Sequence, residues 1–180
     1  MFPAPASAPA ADRPLDLPVM VADLAYEAMS FSYIPKSPAS LAIATILALV
    51  PHPKDPNPSA PESVLLRRSC AQRFAQLAME SVEAEIELPE SGINPSEALQ
   101  NEKSTPDRLP LHPYTPVELE SILALLILSV YEYAQRGNLV KMRHRAGQAF
   151  VIAMDMSLHS LGREEDHFAE GKRRAWWMTV

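Results

Sequence analysis

Apolar residues return along this chain every three or four positions, the spacing of one helix face, and prolines mark where that rhythm breaks. Val21, Leu24, Ala25 and Ala28 share a face and predict a short helix over residues 19–31. The run Tyr33-Ile34-Pro35 ends it, because a residue before proline avoids the helical region. Ser37 and Pro38 then read as an N-cap and a first helical residue. Residues 39–50 follow as a helix that is apolar all round, a pattern that predicts burial. Pro51 stops that helix, and the five prolines within 51–61 make a rigid, polar connector.

Residues 61–88 read as one long helix with Leu65, Leu66, Ser69, Phe74, Leu77, Ala78 and Val82 as a rough stripe. Its charges oppose its own dipole: Arg67, Arg68 and Arg73 sit early, and Glu80, Glu83, Glu85 and Glu87 sit late. Packing must therefore hold it. Residues 89–115 are rich in proline and polar side chains. A structureless loop of that length is unusual inside a domain, so it reads as either a variable insertion or a mobile segment, with Ser104 and Thr105 as candidate modification sites.

The next start is sharply marked. Thr115-Pro116-Val117-Glu118 has the form of a capping box with proline at the first helical position. Leu119, Ile122, Leu123, Leu126, Ile127, Val130 and Ala134 then recur at helical spacing. Gly137 suits a left-handed C-terminal cap, and Asn138 can N-cap the helix that follows. A connection this short makes the two helices antiparallel neighbours. The second, over 139–161, carries Leu139, Met142, Ala146, Ala149, Ala153 and Met156 on one stripe. Its small centre, with Gly147, predicts close approach of another backbone, since a helical glycine otherwise costs up to ~1 kcal/mol relative to alanine. Gly162 ends it; Glu164, Glu165 and Asp166 open a last helix, where Glu170 and Arg174 stand four apart and can pair. No internal repeat is evident. The pattern predicts an all-α fold, a partial helical bundle or a stack of antiparallel helix pairs.

Composition narrows this picture. With 180 residues at 47% hydrophobic, the chain has room for one domain or part of one. The 18 prolines all lie at or before Pro116, which leaves the last third free to run as long helices. Residues 1–18, rich in Ala and Pro, lack the basic start and apolar core of a signal peptide and read as a disordered arm. The apolar runs 39–50 and 122–131 are too short to span a bilayer, so no membrane role is expected. A net charge of -6 argues against a domain built to grip a phosphate backbone. Cys70 is the one cysteine, which excludes an internal disulfide and a cysteine zinc cluster and fits a reducing compartment.

Candidate chemistry is sparse. Glu164 and His167 have the spacing of a carboxylate–histidine metal helix, but one copy makes a solvated helix start the preferred reading. His159 fits a helix C-terminus better than a ligand or base. Lys141, Arg143, His144 and Arg145 form a basic patch that could touch phosphate; a solvated face, or an internal partner among Glu80–Glu87, is preferred. Arg67, Arg68 and Arg73 flank Cys70 and could lower its pKa, yet no histidine-dependent arrangement is readable, and an incidental thiol is the default. Trp176 and Trp177 could line a ligand pocket, and Trp177 follows Arg173 and Arg174 at a spacing that permits cation–π stacking; core packing is the favoured role for at least one of them. There is no P-loop, dinucleotide fingerprint, nucleophile elbow or paired-carboxylate site.

Three stretches carry a resemblance. Tyr131-Glu132-Tyr133 precedes Gly137-Asn138; residues 147–159 read Gly147-Gln148-Ala149-Phe150-Val151-Ile152-Ala153-Met154-Asp155-Met156-Ser157-Leu158-His159; and Arg173-Arg174-Ala175-Trp176-Trp177 closes the set. In this order they resemble the fungal-specific transcription factor domain, also called the xylanolytic activator regulatory domain or middle homology region. Its patterns run Tyr then Gly-Asn, Gly-x-Ala-x-Arg-x-Ala-x-x-Leu-Gly-Leu-His, and Arg-Arg-x-Trp-Trp. The specific part covers residues 119–180, and a weaker likeness reaches back to about residue 24. Val151 stands where arginine is usual, and Ser157 where glycine is usual.

The resemblance implies that residues 19–180 are the N-terminal part of a truncated regulatory domain, with 51–61 and 89–115 as loops. It implies a nuclear, non-enzymatic role in transcription with no base reading of its own. DNA would be met through a zinc cluster of six cysteines that this chain lacks, so zinc belongs to full-length relatives and no cofactor is expected here. Partners would be intramolecular or other proteins, with an unidentified small-molecule inducer between the helices as a further option. Two alternatives stand beside it: a stand-alone helical interaction fragment using the Trp176-Trp177 end, and a helical enzyme with an unfamiliar site.

Overall fold

A computed structural model describes residues 37–87, 108–161 and 166–180. The arm at 1–18, the helix expected over 19–31, Tyr33-Ile34-Pro35, residues 88–107 with Ser104 and Thr105, and Gly162, Glu164 and Glu165 lie outside the described residues. The described residues form five α-helices and two short 3₁₀ turns, with no strand, and the fold is all-α. We label them α1 (Pro38–Leu47), α2 (Pro61–Ile86), α3 (Glu120–Ala134), α4 (Leu139–Asp155) and α5 (Ala169–Thr179).

The start of α1 follows its sequence: the Ser37 hydroxyl accepts from the Ser40 amide at 3.3 Å, and Pro38 occupies the first turn. Its all-round apolarity is a poor guide to burial. Leu41, Ala42 and Thr45 are buried against α2 and α3, while Ile43, Ile46, Leu47 and Val50 stay exposed. The helix also stops at Leu47, short of residue 50.

The inward stripe of α2 is small and differs from the one expected. Ala71, Ala75, Ala78, Met79 and Val82 are buried, Leu65 and Ser69 are exposed, and Leu66, Phe74 and Leu77 are half-buried. Alanines at this spacing let α1 and α3 approach α2 closely. Two of the charges that oppose its dipole are held outside the helix. Arg67 donates to the Pro58 carbonyl at 2.6 Å and pairs with Asp55 at 3.4 Å, so the proline-rich connector is clamped to the first turns of α2. At the other end Glu85 pairs with Arg108 at 2.6 Å and accepts from the Ser121 hydroxyl at 2.5 Å.

The capping box expected at Thr115–Glu118 does not form. Pro116 is itself extended and precedes a 3₁₀ turn, Val117–Leu119, with no side-chain cap. Thr115 instead closes a tight turn, its amide donating to the His112 carbonyl at 3.0 Å. The described end of the long loop is thus anchored. The buried face of α3 is rotated from the expected stripe: Ile122, Leu125, Leu128 and Tyr131 point inward with Ser121 and Ser129, and Val130 and Ala134 point out. A helix apolar on every side does not declare which face is inner; here the polar side chains that find partners in the interior set the phase.

The α3–α4 pair follows the sequence closely. Gly137 is left-handed with φ +61, its amide donates to the Tyr133 carbonyl, and the Asn138 side chain caps α4 by accepting from the Lys141 amide at 3.0 Å. Ala149 and Ala153 are fully buried, with Met142, Ala146 and Met156 beside them. Three expectations fail: Leu139, expected on the inward stripe, is exposed, and two more concern the end of the helix and Gly147. The helix ends at Asp155 rather than 161, because Ser157 turns left-handed at φ +55 and a 3₁₀ turn, Leu158–Ser160, follows. Gly147 faces open space, with nothing within 4 Å of a β-carbon built there; the close backbone approach occurs at Gly171 of α5. That helix begins at Ala169, where Asp166 accepts from the Phe168 amide at 2.8 Å and pairs with Lys172 at 2.6 Å.

Candidate functional site

The residues of the three stretches singled out in the sequence fall into two groups. Tyr131, Ala149, Ala153 and Leu158 are buried together where α3, α4 and the 3₁₀ turn meet, with Ala175 of α5 in the same core and Trp176 half-buried against it. Trp176 also faces Phe150 at 5.8 Å and His159 at 6.0 Å between ring centroids. Tyr133 and Trp177 are exposed, at 59% and 72%. Arg174 pairs with Glu170 at 2.7 Å, as its spacing suggests, and Arg173 approaches the same carboxylate at 3.5 Å. Gly137 supplies the turn, and Gly147 lies on the outer face of α4. Val151, where the resembled pattern has arginine, is 65% exposed, so no buried ion pair is due at that position. The buried members of this set build a helix junction.

Two polar arrangements stand apart from these residues, and the sequence points to part of the second alone. The first is a buried acid at the start of α3. The Glu120 side chain is fully buried, and its carboxylate accepts from the Ser37 hydroxyl, from Arg108 and, at 2.7 Å, from the Leu111 amide. Arg108 continues to Glu85, and Glu85 to Ser121, so one chain of polar contacts ties α1, the end of α2, the loop at 108–111 and α3. Burial works against the Arg108 charge, but hydrogen bonds and charge from Glu120 and Glu85 outweigh it and hold its pKa above the ordinary arginine value. Every member is partnered, which marks the network as a clasp.

The second is a groove of about 550 Å³ walled by α2, the end of α3 and the start of α4. Its walls carry both signs of charge: Glu80, Glu83 and Glu132 against Arg73, Arg136, Lys141 and Arg145. The basic patch of α4 and the acids of α2 thus share a groove. The ion pair of the acidic run goes elsewhere, Glu85 to Arg108, and Arg145 donates to Gln148 at 3.2 Å. Ala75, Met79 and Leu128 supply its apolar lining. Glu132 stands out within it. Its side chain is 8% exposed, and Oε2 is buried with no hydrogen-bond partner; the nearest cation, Arg136 Nε, is 3.5 Å away.

Elsewhere the chemistry is plain. Burial raises the pKa of the Cys70 thiol, opposite to the lowering its arginine neighbours suggested. His167 lies against Tyr114 at 4.9 Å and Phe168 at 5.0 Å, with Nε2 3.2 Å from the Pro113 carbonyl oxygen. A zinc cluster does not fit these residues: Cys70 is the one cysteine, and no three His, Cys, Asp or Glu side chains gather among the described residues. No described helix is long and apolar enough to cross a membrane. No protein-family model, curated protein or solved structure matches the chain.

Proposed function

We propose that this chain is a regulatory, non-base-reading part of a transcription factor of the fungal-specific type, acting in the nucleus on a DNA-binding region outside its own sequence. The observation that carries this reading is the backbone at Ser157. The resembled pattern has glycine there, and Ser157 takes φ +55, the left-handed conformation that glycine accepts at no steric cost. The residue type departs from the pattern, while the backbone takes a conformation that would suit the glycine the pattern has. Burial of Ala149, Ala153 and Leu158 around that turn supports the same reading, since those positions are small or apolar in the pattern. The net charge of -6 accords with a domain that leaves phosphate contact to another segment.

The test is a reporter assay with the chain fused to an unrelated DNA-binding domain. The fusion changes transcription relative to that DNA-binding domain alone, and Ala149→Glu, which forces a charge into the α3–α4 core, removes the change. Equal output from the fusion and the bare DNA-binding domain counts against regulation.

One observation favours a second reading, a helical protein-interaction fragment. Trp177, Met178 and Val180 are exposed at 72%, 57% and 75% at the end of α5. Large apolar groups clustered in this way mark contact surfaces. On this reading Trp177→Ala abolishes partner capture and leaves the thermal midpoint unchanged.

A further inference from the structure

We propose that the groove between α2, α3 and α4 binds a small zwitterion, an organic ammonium that also carries a carboxylate, with its N–H group on Glu132 Oε2.

A buried carboxylate oxygen without a donor is costly, because the group has lost water and gained nothing in return. Glu132 is held in that condition in the lining of an open groove. It is the one buried side-chain nitrogen or oxygen without a hydrogen bond among the described residues, although Arg136 lies within 3.5 Å. At that distance the guanidinium balances charge but makes no hydrogen bond. The missing element is therefore a donor, and an ammonium supplies one together with its charge.

Apart from Glu132 the charged lining is positive on balance, with Arg73, Arg136, Lys141 and Arg145 against Glu80 and Glu83, so the second ammonium of a diamine meets more like charge than opposite. A ligand that ends in a carboxylate turns those basic residues into partners. The apolar lining from Ala75, Met79 and Leu128 suits a short methylene chain between the two charged ends. The volume, about 550 Å³, lies in the range of small-molecule sites. Binding of this kind is a property of the groove and stands whether or not the chain regulates transcription.

The experiment is calorimetric titration of the full chain with 4-aminobutanoate and 6-aminohexanoate. Two analogues accompany them: the trimethylammonium form of 4-aminobutanoate, which has no N–H, and 1-aminobutane, which has no carboxylate. At least one amino acid binds saturably. The trimethylammonium analogue and 1-aminobutane each bind at least about tenfold more weakly. Glu132→Gln, nearly isosteric, weakens the amino acid at least about tenfold while the far-UV circular dichroism stays the same. Should that variant not fold, Lys141→Gln at an exposed position serves instead: it weakens the amino acid and leaves 1-aminobutane unaffected. Absence of saturable binding by every probe overturns the proposal and leaves Glu132 to water. Unchanged affinity in the folded Glu132→Gln variant, or 1-aminobutane binding as tightly as the amino acids, overturns it as well.

Discussion

The carbonyl oxygen of Tyr114 lies 2.7 Å from the point where Gly171 would carry a β-carbon. The tight turn over His112–Thr115 therefore rests on the backbone of α5, and only glycine allows it. The obstacle is a backbone atom, so it cannot swing aside like a flexible side chain. Gly171→Ala gains up to ~1 kcal/mol of helix propensity and loses more to overpacking, typically ~1–3 kcal/mol. We expect a net loss of about 1 kcal/mol or more in urea unfolding. Gly147→Ala, which meets nothing within 4 Å, shows the propensity gain alone and stabilises by up to ~1 kcal/mol. Equal responses at the two glycines would remove the distinction between them.

The clasp around Glu120 gives a second expectation. Arg108 is 16% exposed and is the cation that neutralises two carboxylates, Glu85 and Glu120. Its removal leaves a fully buried charge with only Ser37 and the Leu111 amide as donors. Breaking a buried pair in this way costs ~3–5 kcal/mol; the partial exposure of Arg108 and the remaining donors lower that figure. Arg108→Ala is expected to destabilise by about 2–3 kcal/mol in equilibrium denaturation. A loss below about 0.5 kcal/mol, the level of a surface pair, would mean the network does not join the helices.

These two cases show what the sequence could and could not declare. Ser37, Gly137 and Asn138 were legible because capping and left-handed turns are local: one residue and its neighbours decide them. The stripe of α4 was legible because Ala149 and Ala153 stand out against charged neighbours. The inner face of α3 was not, since nearly every position is apolar, and Ser37, one partner of Glu120, and Glu85, the partner of Ser121, lie 83 and 36 residues away. The charged groove was half legible: the basic residues of α4 and the acids of α2 were each visible, but the unpartnered oxygen of Glu132 exists only after three helices meet. Gly147 drew attention for its place in a helix; Gly171, also helical, carries the close contact because a distant turn lies over it.

The start of α5 should respond to acid. The Asp166 pKa is lowered chiefly by a hydrogen bond from Lys172, with the Phe168 and Ala169 amides and the Lys172 charge adding to the effect. A carboxylate whose folded pKa lies below its unfolded one stabilises the fold above the unfolded value, about 3.9 for aspartate. That contribution disappears as pH falls through the lower, folded value. Asp166→Asn keeps a side-chain acceptor for the Phe168 amide and loses the titration. Thermal midpoints taken from neutral pH downward should fall more steeply below about pH 4 in the wild type than in the variant. Parallel curves would mean that Asp166 does not sense folding.

Ser157 and Gly137 share one backbone conformation and should answer substitution in opposite directions. Both are left-handed, at φ +55 and φ +61. A residue with a β-carbon costs ~1–2 kcal/mol there, whereas glycine costs ~0.5–1 kcal/mol through the freedom it has in the unfolded chain. At Ser157 the hydrogen bonds of the turn use the main chain: its carbonyl accepts from the Ser160 amide at 3.0 Å and the Ser160 hydroxyl at 2.9 Å. Ser157→Gly keeps both bonds and relieves the β-carbon, so the net gain is about 0.5 kcal/mol. Gly137→Ala imposes the same penalty where none exists and loses a similar amount or more. Differential scanning calorimetry of the two variants reads this as a raised and a lowered midpoint. A lowered midpoint for Ser157→Gly would show that the serine side chain supports the turn, and it would remove the backbone argument that links this position to the glycine of the family pattern.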